Sequence, residues 1–194
     1  MTKFLSFTPD ARRIAEADSV AVIGLGRFGT SLALELMSSG TEVLGIDADE
    51  DIVQSLNGEL TQVVRADSTR LDVLRHLAVG EFDRVVLAIG NDITASILTA
   101  SLLLQLQVPV IWAKAVDEQH GAVLEQLGVH RVIYPEKDMG RRVAHLVRGA
   151  AADYLEIDRG YAIVKTVAPR HLQGITLREA AVRSTHGITV AAYR

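Results

Sequence analysis

SVAVIGLGRFGTSLALELMSSGTEVLGID, residues 19–47, is the stretch whose reading decides the fold. Its opening, SVAVIG (19–24), is an unbroken apolar run of strand length and reads as a buried β-strand. RFGTSLALELMSS (27–39) has helical spacing and stops at Gly40, and EVLGID (42–47) is a second strand. Between the first strand and the helix stand Gly24, Gly26 and Gly29 as G-x-G-x-x-G. Alone that pattern is weak, but directly after a strand and opening a helix it marks a nucleotide-binding βαβ unit. Gly24 permits the tight turn, Gly26 lets a phosphate approach the backbone, and Gly29 lets helix and strand pack closely. The helix N-terminus then offers unpaired N–H groups and a positive dipole end to phosphate. The plain alternative is a glycine-rich turn that holds no ligand.

Working outward, the same rhythm repeats. Helix 49–58 has an acidic first turn and a glycine stop; strand 61–65 and helix 70–79 follow. Strand 84–90 leads into a helix capped by Asn91 or Asp92. Strand 109–114, helix 118–128 and strand 131–135 close the series. Six β runs joined by crossover helices call for a parallel sheet, an α/β Rossmann-like doubly wound fold. After Pro135 the rhythm changes. A long helical stretch, 136–152, resembles a connector; then come a strand (161–169), a short helix (175–183) and another strand (187–193). The expected organisation is an N-terminal extension (1–18), a nucleotide-binding lobe (19–135), a crossover helix (136–152) and a small α+β lobe (153–194). A tail of about 40 residues is marginal as an independent domain and calls for a partner subunit or a longer lobe.

Several function classes drop out. The 24 acidic against 20 basic residues give a net charge of −4, which argues against binding nucleic acid through a basic stripe. There is no cysteine, hence no disulfide, thiolate metal site or thiol nucleophile. The first residues lack the apolar core of a secretory signal, and no run of about 18 apolar residues appears, so a cytoplasmic protein is expected. The most apolar stretch, residues 97–106, reads as a buried helix. No Ser-His-Asp order, His-Glu-x-x-His pattern or P-loop lysine motif occurs. The six histidines (76, 120, 130, 145, 171, 186) lack metal-ligand spacing and read as surface or helix-end residues. A binding module is therefore expected, with no catalytic residue.

Within the nucleotide unit, Asp47 ends the second strand where an acidic side chain accepts ribose hydroxyls; a carboxylate there disfavours a 2′-phosphate, hence NADP. The alternative is a helix-capping Asp, a role Asp49 can already fill. Asp67 and Ser68 follow the third strand, where they either touch an adenine or cap a helix. Arg27 inside the loop adds a guanidinium beside the phosphate path, useful to a terminal phosphate and needless for hydride transfer; otherwise it is a solvated surface arginine.

VIGLGRFG (22–29), LGID (44–47), AIGND-x-x-AS (88–96), IWAKA (111–115) and YPEKDMG (134–140) stand in the order and spacing of the RCK (regulator of potassium conductance) domain family, closest to its KtrA/TrkA-type subunits. The resemblance covers about residues 19–193. It implies ATP or ADP, or NAD(H), in the Rossmann lobe, with Gly24, Gly26, Arg27, Phe28 and Gly29 lining the phosphates and Arg27 near a γ-phosphate. It also implies Asp47 at the ribose, Asp67 and Ser68 near the adenine, and Gly90, Asn91, Asp92 and Lys114 facing the nucleotide. Glu136 would meet the neighbouring subunit's nucleotide, directly or through Mg²⁺ or another cation. The implied assembly is a homodimer and an octameric ring, on the inner face of the membrane beneath an integral-membrane potassium-translocating subunit of the KtrB/TrkH kind.

From the residues alone, Lys114 also reads as a solvated strand end, and Glu136 as an ordinary first-turn acid. Against the family pattern, the chain carries its 18-residue extension and ends at GITVAAYR, where the family's C-terminal lobe continues. The lobe is thus expected to be truncated, which puts in doubt the cyclic di-AMP that some relatives bind there. The competing functional readings are an NAD(H) redox sensor and a small NAD-dependent oxidoreductase.

Overall fold

The computed structural model describes residues 19–148, 153–158 and 161–192. The expected extension 1–18, residues 149–152 of the expected connector and the end of the expected last strand lie outside them. The chain divides into two compact units, with the division between Glu136 and Lys137.

The first unit holds six parallel strands in the order β3-β2-β1-β4-β5-β6. They are β1 (Ser19–Ile23), β2 (Glu42–Asp47), β3 (Gln62–Arg65), β4 (Arg84–Leu87), β5 (Val110–Lys114) and β6 (Arg131–Ile133). The crossovers run through α1 (Arg27–Ser38), α2 (Glu50–Ser55), α3 (Leu71–His76), α4 (Ile93–Gln105) and α5 (Glu118–Leu127). The Rossmann-like doubly wound sheet expected from the sequence is the fold observed. Every residue of β1 is buried, as the centre of a sheet covered on both faces demands. Ala21 and Ile23 point into one core with Phe82, Leu103 and Leu124; Val20 and Val22 point into the other with Ala33, Val43 and Leu60. Gly45 in mid-strand is explained by the second core. A Cβ there would stand 2.7 Å from Leu60 Cδ1 and 3.0 Å from Leu25 Cδ1.

The strand order reverses between β1 and β4, and their parallel register (Ile23 beside Leu87) opens a crevice past their carboxyl ends. Helix starts follow side-chain chemistry. Asp49 accepts from the N–H groups of Asp51 and Ile52, Asp92 from Ala95 and Asp117 from His120, capping α2, α4 and α5. Among the residues expected at these starts, Asp92 rather than Asn91 makes the cap. Helices α2 and α3 are shorter than expected, because residues 56–61 and 77–81 close in turns and a short 3-10 segment.

α6 (Pro135–Val147) carries Met139 and Val143 exposed on one stripe, with Val147 beyond them. In the second unit β7 (Asp153–Asp158) and β8 (Tyr161–Lys165) form an antiparallel pair, followed by α7 (Leu177–Ala180) and α8 (Val182–His186). Two expectations are corrected here. The helix expected over 175–183 is interrupted, since Ala181 takes a left-handed conformation (φ +46°) that separates α7 from α8. The strand expected over 187–193 is not formed by residues 187–192: a strand exists by pairing, and Ile188 and Val190 stand exposed without a neighbouring strand among the described residues. Among the described residues no helix is long and apolar enough to cross a membrane.

Candidate functional site

The glycine loop is held from below. The Gly24 N–H donates to the Ile46 carbonyl at 2.8 Å, the Leu25 N–H donates to Asp47 Oδ2 at 2.5 Å, and the Thr30 hydroxyl donates to the Leu25 carbonyl at 2.6 Å. Gly24 sits at φ +91°, and a Cβ there would come 2.8 Å from the Ile89 nitrogen. A Cβ on Gly29 would be driven into the carbonyl oxygen of Gly24. These two glycines are needed by the fold itself. Gly26 is different: its φ of −65° suits any residue, and a Cβ there would meet nothing within 4 Å. The chain leaves open space over that position.

Gly26 is also the N-cap of α1, and there no side chain caps the helix and no acid stands in its first turn. The contrast with α2, α4 and α5 is plain. Where those helices spend an aspartate on their first N–H groups, α1 presents its own toward the crevice, the arrangement that takes an anion.

The crevice is a cleft of about 800 Å³, within the range of roughly 300–1,000 Å³ usual for small-molecule sites. It is lined by Gly24, Gly26, Arg27, Phe28, Asp47, Asp67, Ser68, Gly90, Asn91, Asp92, Lys114 and Glu136. Of the expected residues only Gly29 stays off its wall, being packed against Gly24. Ile52, Thr69 and Val116 also line it and were not expected from the sequence. Thr69 was within reach of sequence reading as the turn partner two residues after Asp67; Ile52 and Val116 reach the cleft only through the tertiary fold.

The polar side chains already have work. Asp47 Oδ1 accepts from the Asp49 N–H at 2.9 Å, while Oδ2 holds the loop. A carboxylate has about four acceptor positions, so room for two ribose hydroxyls is left. Asp67 Oδ1 accepts from the Thr69 N–H and hydroxyl, and these bonds hold its carboxyl below the usual carboxylate range. Asp67 therefore shapes a turn rather than capping α3, whose N-cap is Arg70. The Ser68 hydroxyl turns inward to Thr99 Oγ1 at 3.0 Å, and both are buried.

At the far end of the cleft Lys114 is only 9% exposed, which removes its reading as a solvated strand end. Its ammonium donates to Glu136 Oε1 at 2.6 Å and lies 5.8 Å above the centre of the Phe28 ring. The bond from Lys114, helped by the charge of Arg27, holds the Glu136 carboxyl below its usual range. Glu136 thus lies in the same cleft as Arg27 and Lys114 within one chain. Among the described residues no group of three or more His, Asp or Glu converges as a metal site.

His120 stands in the first turn of α5, a helix-end place as expected, and is buried there, 3% exposed, with Nδ1 accepting the Val116 N–H at 3.4 Å. Burial pushes its pKa below the ordinary 6.5, partly opposed by the charge of Asp117. Because the folded value is the lower one, the contribution of neutral His120 to stability is complete above about pH 6.5 and is lost as pH falls through the folded pKa. Thermal melts should therefore show a decline setting in below about pH 6.5 that His120→Gln reduces. Parallel declines in both proteins would assign the effect to other groups.

The family model for the TrkA-N domain matches residues 20–135. The chain is 41% identical over 175 residues to Ktr system potassium uptake protein C of Bacillus subtilis (strain 168), covering 90% of this chain and 79% of that protein. It is 35% identical to Ktr system potassium uptake protein A of Vibrio alginolyticus, covering 90% of this chain and 80% of that one. Among solved structures, the GsuK RCK domain matches with a TM-score of 0.66 at 18% identity, over 89% of this chain and 38% of that one. GsuK bound to ADP matches at 0.58 and 18%, over 87% and 52%. The GsuK channel bound to NAD matches at 0.60 and 17%, over 72% and 25%. At such identities the structural likeness speaks for the fold alone, whereas the family match and the relatives speak for descent. The chain belongs to the TrkA-N domain family, in the company of the Ktr system potassium uptake proteins.

Proposed function

We propose that this chain is a nucleotide-sensing regulatory subunit of a potassium-transport system, with ATP and ADP as its ligands, and that it is not an enzyme. The observation that carries the nucleotide reading is the uncapped start of α1 beneath open space at Gly26, with Arg27 and Lys114 at the same cleft. Potassium transport rests on the relatives, which are named potassium uptake proteins at 35% and 41% identity.

Gly26 and the first N–H groups of α1 would hold phosphate, Arg27 would add charge-assisted bonds to its terminal oxygens, and Asp47 would accept ribose hydroxyls. Asp67 and Ser68 would border the adenine through the backbone and carboxylate they present, and Gly90, Asn91 and Asp92 would wall the opposite side. Seven charged side chains line the cleft, five acidic (Asp47, Asp49, Asp67, Asp92, Glu136) and two basic (Arg27, Lys114). Such a balance favours phosphates that arrive with a divalent cation such as Mg²⁺, held chiefly by the phosphates and by Glu136. A ligand shifts a conformational equilibrium only by its differential affinity for the two states, and a near-complete switch needs about 10⁴-fold, or about 5.5 kcal/mol, summed over the coupled sites. Assembly supplies the sum. The family resemblance points to a dimer and an octameric ring, and exposed apolar residues on α4 and α5 (Leu98, Leu127) leave surface for self-association. That ring would act on an integral-membrane potassium-translocating subunit from its cytoplasmic side. A cyclic di-AMP site in the second unit is not part of this proposal.

Identifying the nucleotide that co-purifies, by native mass spectrometry with and without Mg²⁺, tests the reading: ATP or ADP on an oligomer is expected, and a nucleotide-free monomer would refute it. A second reading, an NAD(H) sensor, is favoured by the Asp47 carboxylate at the end of β2 and by the NAD-bound structure of like fold. NADH in place of adenine di- or triphosphate would select it. Arg27 separates ligands further. Arg27→Ala should narrow the ATP/ADP affinity ratio by roughly tenfold and weaken ADP less. Equal losses for both would make Arg27 a general phosphate contact.

A further inference from the structure

Strand β5 is held at both ends by a histidine. The Ile111 N–H donates to His130 Nδ1 at 3.1 Å near the strand's amino end, and the Val116 N–H donates to His120 Nδ1 at 3.4 Å just past its carboxyl end. A backbone N–H can only donate, so each Nδ1 is unprotonated, and a neutral ring then carries its proton on Nε2. The two rings differ in burial. His130 is exposed, whereas His120 is buried and its Nε2 has no partner among the described residues. They differ also in what they hold. Val116 lines the cleft, its Cγ1 standing 3.6 Å from where a Gly90 Cβ would be, while Ile111 lies in the core.

We propose that His120 is a positioning residue of the cleft: its neutral ring fixes the loop 115–117 that carries Val116 into the wall, and a proton on the ring frees that loop and weakens nucleotide binding. The inference rests on the nucleotide reading above and makes the proton an opposing second ligand. Protonation turns Nδ1 from acceptor to donor, so that two N–H groups face each other. The charged ring gains nothing at Nε2, which has no acceptor among the described residues, and burial disfavours its charge. One neighbour works the other way. Asp117, which accepts the His120 N–H at 2.7 Å as the cap of α5, favours the proton by its charge. Helix α4, packed on α5, carries no ionisable side chain. On β5 Lys114 turns its ammonium to Glu136; Arg131 of β6 and Glu118 of α5 are exposed; Tyr134 sets its hydroxyl against Gly121. Release of the loop is the route left to a protonated ring. Because the nucleotide prefers the neutral ring, binding expels a proton wherever both forms coexist.

Titration calorimetry of ADP on the full chain, at about pH 5.5 and about pH 7.5 in buffers of different ionisation enthalpy, reads both affinity and the protons that move. His120→Asn is the informative variant, because its amide oxygen accepts near the place of Nδ1 and does not titrate. From the higher to the lower pH the wild-type affinity is expected to fall roughly fivefold further than that of His120→Asn. At the lower pH the wild type should release more protons on binding than the variant does. The phosphate of ADP titrates alike in both, so the difference belongs to the protein. His120→Leu, which lacks the acceptor, should bind roughly fivefold more weakly than His120→Asn at both pH values, with the same shallow pH profile. His130→Asn should keep the wild-type profile, since it touches only the far end of β5. Parallel profiles and equal proton counts in the wild type and both His120 variants would overturn the proposal and leave the ADP site standing. A His130→Asn profile as shallow as that of His120→Asn would overturn it too. No ADP binding at either pH by any folded variant would refute the nucleotide reading and this inference together.

Discussion

Gly26→Val is expected to weaken ATP and ADP binding by at least about a hundredfold while costing the fold under about 1 kcal/mol. Nothing in the chain asks for glycine at this position. The backbone angles are ordinary, and an added Cβ would enter open space. A valine there keeps a permitted conformation and reduces the freedom of the unfolded chain, which offsets part of the lost glycine N-cap. Its methyl groups, however, would stand where the phosphate must approach the first N–H groups of α1. Calorimetry beside a thermal melt measures both sides. Unchanged binding in a folded Gly26→Val protein would mean that the loop is not the phosphate seat.

Gly29→Val should do the reverse and damage the fold itself. Its Cβ would overlap the Gly24 carbonyl oxygen, a backbone atom pinned by the Gly24 and Leu25 bonds to β2, so neither side can step aside cheaply. Overpacking of this kind costs about 3 kcal/mol or more, which for a chain of this size lowers the melting temperature by roughly 10 °C. A melt unchanged by the substitution would show that α1 can slide along β1. The pair of substitutions, three residues apart in one motif, thus separates what the fold requires from what a ligand requires.

That separation also shows where sequence reading runs out. The six strands were legible because a parallel sheet covered on both faces writes itself as short apolar runs such as SVAVI and RVVL. The glycine loop was legible because its spacing is tied to local geometry. The division of labour within it was not, since it takes the tertiary structure to show that a Cβ at Gly24 meets Ile89 and Ala88, far along the chain past the end of β4, that one at Gly29 meets the Gly24 carbonyl, and that one at Gly26 meets nothing within 4 Å. Asp47 drew attention by its place at a strand end, where an acid is expected to meet a ribose, but its anchoring of the Leu25 N–H was not legible. Lys114 looked solvent-facing because β5 ends there; it is buried because Phe28 and Gly90 close over it. The second unit was read least well. Alternating apolar residues in 187–193 promised a strand, and alternation alone cannot supply the neighbour to pair with. The break at Ala181 follows no sequence rule, because alanine rarely adopts a left-handed conformation.

The cleft between the carboxyl ends of β1 and β4 is proposed as a seat for adenine nucleotides distinguished by their terminal phosphate. Titration calorimetry of the full chain with ATP, ADP and NADH, each with Mg²⁺, measures it most directly. Micromolar binding of ATP and ADP with different affinities, both tighter than NADH, is the predicted result. Binding of NADH at micromolar concentration with neither ATP nor ADP bound would contradict it.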